Sequence, residues 1–182
     1  MKLTILGAHQ GETANTGFTS ILIDDVIAID AGHLTSPLSL EEQFNLRHLL
    51  VTHQHFDHIK DLGSLGFLLM FHQSINVYCT DGVRDVIRNT ILHRDIWLDY
   101  FNWPSPENPA YRHCSVEPLR SFQIEGYEVK PIPSNHVVPT CGYEITDKAG
   151  TSVYYTADNG PGCHRDWLNA DPDLLITEVT YG

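Results

Sequence analysis

The chain is short of positive charge. Eleven Lys and Arg stand against 23 Asp and Glu, a formal net charge of -12 over 182 residues, so it lacks the basic face that neutralises a polyanion. Bulk binding to DNA, RNA or an anionic membrane surface is disfavoured. Long apolar runs are also lacking. Met1-Lys2-Leu3-Thr4-Ile5-Leu6-Gly7 is far too short for the core of a secretory signal, and no later segment approaches the ~18 apolar residues that span a bilayer. A soluble, cytoplasmic protein with no membrane partner is expected. Cysteine is sparse: Cys79, Cys114, Cys141 and Cys163 form no Cys-x-x-Cys pair, unlike a zinc ribbon or a dense disulfide framework. They are expected to be free thiols that pack mostly as small apolar groups.

What is present is enough for one compact domain over 1–182, since a domain commonly takes about 100 to 200 residues. Hydrophobic residues make up 42% and charged residues 19%, sufficient to bury a core and too little charge for a disordered chain. Histidine is the exception to an ordinary composition: 11 in 182 residues, above the usual background of about 2%.

Apolar runs at Lys2 to Leu6, Ser20 to Ile23 and Val26 to Asp30 predict strands, with Asp24-Asp25 as a two-residue turn and a polar loop from Gly7 to Gly17. Leu38 to Leu46 suits a short helix and Arg47 to Thr52 a buried strand. Ile59, Leu62, Leu65, Gly66, Leu69 and Met70 recur at spacings of three and four, which predicts one helix beginning at Asp57 or His58. Ile75 to Thr80 reads as a strand. Val83, Val86, Ile87, Thr90 and Ile91 form a second helical stripe, capped by Thr80 or Asp81. Arg94 to Tyr111 packs aromatics among prolines and reads as an ordered surface excursion. Its rings at 97 to 111 can either line a substrate pocket or close the core or an interface. Strands follow at Ser121 to Ile124, Tyr127 to Pro131, Cys141 to Thr146, Ser152 to Thr156 and Leu174 to Val179. Strands, helices, then strands again fit a layered α/β domain with mixed sheets.

The chemistry concentrates in Val51-Thr52-His53-Gln54-His55-Phe56-Asp57-His58, where a predicted strand runs into a predicted helix. In extended backbone, residues two apart project to the same face, so His53 and His55 can converge on one cation. Asp57 and His58, rotated at the helix start, can reach a second. The bland alternative is packed or solvated histidines with Asp57 as a helix N-cap. A random chain of this composition shows His-x-His-x-Asp-His only about three times in a thousand, which favours a site.

This segment resembles the signature of the metallo-β-lactamase superfamily, and the resemblance covers nearly the whole chain. Ala28-Ile29-Asp30-Ala31-Gly32 is similar to that family's early strand ending in Asp-x-Gly, whose Asp supports the metal loop from below without binding metal. Ser134-Asn135-His136 is similar to the next motif. Tyr154-Tyr155-Thr156-Ala157-Asp158-Asn159-Gly160 is similar to the strand ending in the bridging Asp, usually Gly-Asp-Thr-Gly, from which Ala157 and Asn159 depart. The likeness is closest to the ribonuclease Z and class II cyclic-nucleotide phosphodiesterase branch, with Leu174-Leu175-Ile176-Thr177-Glu178-Val179-Thr180 similar to its Glu-containing strand.

The resemblance implies a four-layered αβ/βα sandwich with mixed sheets. It implies one metal held by His53, His55 and His136, a second by Asp57 and His58, and Asp158 bridging both, with Asp57 additionally orienting a shared hydroxide. Two divalent ions are implied; zinc is favoured, and manganese or iron also suits imidazole and carboxylate ligands. The family pattern includes a last histidine on a strand beyond Glu178, whereas this sequence stops at Gly182. The expectation is therefore a C-terminally truncated form, its last strand and helix missing, with an N-terminal half of about 1–115 and an incomplete half of about 116–182. His164 is the nearest histidine to fill the vacancy. Strand 174 to 179 would be an uncapped edge, and a homodimer is plausible.

The expected function is metal-dependent hydrolysis of a small phosphodiester resembling a cyclic nucleotide; scarce basic residues and the absence of a long Gly/Pro-rich arm disfavour an RNA substrate. A lactone or thioester hydrolase is the alternative. A metal-binding module without turnover, degenerate or sensor-like, is the rival of another class. Its di-iron redox version is opposed by His55, where flavodiiron relatives generally carry Glu.

Overall fold

A computed structural model describes residues 1–160 and 169–179. Contacts group the chain into two units, Lys2–Ser115 and Met1 with Val116–Gly182. The expectations on Cys163 and His164 fall outside the described residues.

In the Lys2–Ser115 unit, β1 (Leu3–Gly7), β2 (Ser20–Ile23), β3 (Ile27–Ile29), β4 (His48–Leu50), β5 (Ile75–Cys79) and β6 (Tyr111–Ser115) form one sheet in chain order. The first three pair antiparallel and the rest parallel. Asp24 and Asp25, at φ 49° and 61°, supply the left-handed pair that a two-residue hairpin requires. Lys2 holds both: its backbone N–H donates to Asp24 Oδ1 at 2.6 Å and its ammonium pairs with Asp25 at 2.8 Å. β2, β3 and β4 are buried throughout, and apart from Ser20 and His48 they consist of Ile, Leu and Ala, the near-continuous apolar run of fully buried strands.

Helix α1 (Leu40–Asn45) opens with a capping box, Ser39 Oγ accepting from the Glu42 N–H while the Glu42 carboxylate accepts from the Ser39 N–H. The single helix predicted from Asp57 or His58 is two: α2 (Phe56–Ile59) and α3 (Leu62–Leu69). The break has a backbone cause. The His58 carbonyl accepts the Ala31 N–H at 2.7 Å and the Asp61 N–H donates to the Ala31 carbonyl at 2.7 Å, so groups needed to continue α2 are spent on the chain after β3. Helix α4 (Asp81–Asn89) has Thr80 as its cap, accepting from the Val83 N–H at 3.3 Å.

The segment read as a surface excursion supplies core. Tyr100 and Tyr111 are fully buried beside Leu62, Leu65 and Leu69, and Phe101 is nearly so. A Cβ on Gly63 or Gly66 would fall 2.1 or 2.2 Å from the rings of Trp97 and Tyr100, so both glycines admit aromatic rings to α3. Tyr111 also opens β6, a strand that the sequence pattern does not announce.

In the other unit, β7 (Phe122–Ile124), β8 (Tyr127–Ser134), β9 (Thr140–Thr146), β10 (Ser152–Tyr155) and β11 (Leu174–Ile176) lie in the order β11-β10-β9-β8-β7. β7 to β10 pair antiparallel and β11 runs parallel to β10, so both sheets are mixed. Val129, Ile132, Tyr143, Ile145, Val153 and Tyr154 are buried here. Cys79, Cys114 and Cys141 are free thiols. Burial pushes Cys79 up to about 12 and Cys141 to about 11, which makes them packing groups with little nucleophilic thiolate. Among the described residues no helix is long and apolar enough to cross a membrane.

Candidate metal centre

The parallel register of β3 and β4, Ile29 opposite Leu50, carries the residues after each strand side by side. Asp30 takes φ 59°, a left-handed conformation that Asp tolerates better than most residues. Its N–H donates to the Leu50 carbonyl at 2.8 Å and its carbonyl accepts from Ser20 Oγ at 3.1 Å. The Asp30 carboxylate is fully buried. It accepts the Thr52 N–H at 2.8 Å, the Thr52 hydroxyl at 2.9 Å and His58 Nδ1–H at 2.7 Å. Since a carboxylate only accepts, Nδ1 of His58 carries the proton and Nε2 carries the lone pair.

The loop that follows holds the predicted ligands of this unit. The rings of His53 and His55 meet edge to face at 4.7 Å, and those of His53 and His58 lie 4.2 Å apart. Ligand atoms of His53 and His55 come within 4.8 Å of each other, as do those of Asp57 and His58. His58 Nε2 is 3.7 Å from Asp57 Oδ2. His55, not Asp57, is the N-cap of α2, and it makes no side-chain cap bond; capping therefore does not explain Asp57. Next to this loop Gln54, Phe56, Ile59, Ile91, Ile96 and Trp97 line a largely apolar groove of about 520 Å³.

In the Val116–Gly182 unit, His136 follows β8 and Asp158 follows β10. His136 Nε2 lies 3.6 Å from Asp158 Oδ2. Their two loops are tied together: Ser134 Oγ donates to the Thr156 carbonyl, the Gly160 N–H donates to the Asn135 carbonyl, and the Asn135 N–H donates to Asn159 Oδ1 at 3.4 Å. The Asn159 N–H in turn donates to Glu178 Oε2, after β11, at 2.9 Å. Glu178 thus braces the turn that carries Asp158. Ala157 sits at φ 57°, where the family pattern has Gly.

Imidazole nitrogens and carboxylates are the donor set of zinc, manganese and iron. A histidine whose Nδ1–H is held by a buried carboxylate has the orientation and tautomer of a metal ligand. The donor set fits divalent cations. The contacts of Thr52 with Asp30 are the part of this arrangement that the sequence pattern does not reveal, because they arise from strand register.

Two mixed sheets, with a His-x-His-x-Asp-His loop leaving a parallel strand of the first, define the α/β metallo-β-lactamase fold. A family model described as a beta-lactamase superfamily domain matches residues 19–181, and the chain belongs to that family. Among solved structures it is similar to the metallo-beta-lactamase fold protein YhfI from Bacillus subtilis, with a TM-score of 0.76 and 22% identity, covering 98% of this chain and 71% of that one. It is 26% identical over 157 residues to a ribonuclease Z of Metallosphaera sedula, which covers 81% of this chain and 49% of the relative. It is 31% identical over 102 residues to an octanoyltransferase of Porphyromonas gingivalis, covering 56% of this chain and 20% of that protein. The chain therefore spans half or less of the length of these two relatives.

Proposed function

We propose that the chain is a divalent-metal-dependent hydrolase of phosphodiesters, with a small substrate resembling a cyclic nucleotide favoured over RNA. In this proposal His53, His55 and His136 hold one cation, Asp57 and His58 hold a second, and Asp158 serves both. The observation that carries it is the buried contact of His58 Nδ1 with Asp30 at 2.7 Å, which turns the His58 lone pair toward the side on which Asp57 stands. Bound cations, zinc by preference and manganese or iron otherwise, would supply a water of lowered pKa and neutralise charge developing on phosphorus.

The chain's own residues do the remaining work. Asp30 and Thr52 hold the histidine loop rigid from within the core. Asp57, partly exposed beside His58, is the carboxylate placed to orient an attacking water and accept its proton. Glu178 keeps the Asp158 turn in place through the Asn159 N–H. Similarity to a ribonuclease Z along most of the chain supports phosphodiester chemistry. The net charge of -12 supports a small substrate, since a polyanion would be repelled. A cytoplasmic setting agrees with the free thiols. β11, an edge strand among the described residues, offers a pairing surface for a homodimer.

Metal analysis of the purified protein, together with turnover of bis(p-nitrophenyl) phosphate and of a lactone panel, tests the proposal. Two equivalents of metal with phosphodiester turnover above lactone turnover is the expected result. Faster lactone turnover would transfer the assignment to acyl chemistry. Two tightly held metals without hydrolysis of either would leave a binding module.

A further inference from the structure

We propose that Thr52 is a positioning residue whose hydroxyl passes the acceptor character of Asp30 on to His53, making His53 Nδ1 the protonated nitrogen and presenting Nε2 to a cation. The inference deepens the proposed function: the presentation of Nε2 to a cation rests on that reading, whereas the ring state of His53 rests on the Thr52 and Asp30 contacts alone.

The argument is a count of protons. A threonine hydroxyl has one proton to give and two lone pairs to receive with. Thr52 Oγ1 is buried and lies 2.9 and 3.1 Å from the two oxygens of Asp30 and 3.0 Å from His53 Nδ1. Were the proton given to His53, the hydroxyl oxygen would face a buried carboxylate with lone pairs on both sides, a costly unsatisfied arrangement. The proton therefore goes to Asp30, and the contact with His53 is made with the ring's own Nδ1–H.

His58 stands in a different relation to the same two residues. Its Nδ1 is 3.5 Å from Thr52 Oγ1 but 2.7 Å from Asp30 Oδ2, so its proton is committed to the carboxylate directly. One buried aspartate thus sets the ring state of two histidines, His58 by contact and His53 through the hydroxyl. The Thr52 N–H, donating to Asp30 Oδ1 at 2.8 Å, fixes the hydroxyl relative to the carboxylate. The opposite tautomer is the one a free histidine side chain prefers, so removal of the hydroxyl should let His53 revert and place a proton on the nitrogen that a metal needs.

Long-range proton–nitrogen correlation spectra of the metal-free protein at pH 8 read the two ring states without any assay of activity. Wild type and Thr52→Ser are expected to show His53 with Nδ1–H; Thr52→Val, similar in shape, should show His53 shifted toward Nε2–H while His58 keeps Nδ1–H. Zinc affinity should fall about 10- to 100-fold in Thr52→Val and recover in Thr52→Ser. An Nε2–H at His53 in the wild type overturns the proposal without recourse to any variant, as does an unchanged His53 spectrum in a folded Thr52→Val. If the wild type instead shows the expected ring states but takes up no zinc, the metal assignment fails and the role of Thr52 in setting the ring stands.

Discussion

A Cβ built on Gly32 would lie 1.9 Å from the carbonyl oxygen of Asp57 and 2.8 Å from Phe18 and the Thr19 carbonyl. The chain after β3 and the start of α2 are in backbone contact there, and the two neighbouring Ala31 hydrogen bonds, with the His58 carbonyl and the Asp61 N–H, hold them so. Gly32→Ala must push the loop away, at a cost of about 1–3 kcal/mol by overpacking. A lower urea midpoint and weaker zinc uptake are expected together. Wild-type values for both would mean that the loop has room for a methyl group at this position.

His55→Ala separates the site from the scaffold. His55 is half-buried and caps α2 by backbone geometry alone, so stability should change by no more than about 0.5–1 kcal/mol. Metal content and hydrolysis should nevertheless fall together. Full metal stoichiometry in a folded His55→Ala protein would remove His55 from the ligand set.

Most strands and the histidine loop are legible in the sequence because both depend on near neighbours. Alternating or continuous apolar runs announce β2, β5, β8 and β9, and a spacing of two brings His53 and His55 together. What is not legible depends on register. Asp30 and Thr52 are 22 positions apart, and their bond exists because Ile29 pairs with Leu50. The gap between α2 and α3 is invisible for the same reason, since the apolar spacing continues across it while the Ala31 backbone interrupts the helix. β6 carries Arg112, His113 and Ser115 with little apolar alternation; it is a strand through its parallel pairing with β5. The Asp24-Asp25 turn is legible from position, and its left-handed backbone only from the structure.

His113 gives the fold a pH dependence of predictable sign. Its Nδ1 accepts from Arg84 at 3.0 Å and its Nε2–H donates to the Cys79 carbonyl at 3.1 Å, an arrangement only the neutral ring can make. Burial, aided by the Arg84 charge, lowers its pKa from 6.5, against the Cys79 carbonyl bond and the Asp81 and Asp85 charges. The unfolded chain then binds the proton more readily. This contribution is present above about pH 6.5 and is lost as pH falls through that value toward the lowered folded one. Urea unfolding at pH 7.5 and 5.5 should show a larger loss for wild type than for His113→Gln. Equal losses would show that the ring is protonated as easily in the fold as outside it.

Ala157 tests the turn that carries Asp158. Its φ of 57° is left-handed, where a Cβ is strained and a β-branched side chain is a genuine outlier. The residue is fully buried, so a glycine would relieve strain but lose a packed methyl group. Ala157→Gly should therefore lie within about 1 kcal/mol of wild type. Ala157→Val adds volume as well as strain and should lose more than about 2 kcal/mol, with weaker metal uptake as the Asp158 turn shifts. Thermal unfolding of the two variants reads the order directly: in an ordinary helical or extended backbone glycine would be the more damaging change, so a Val variant as stable as the Gly variant would contradict the left-handed turn.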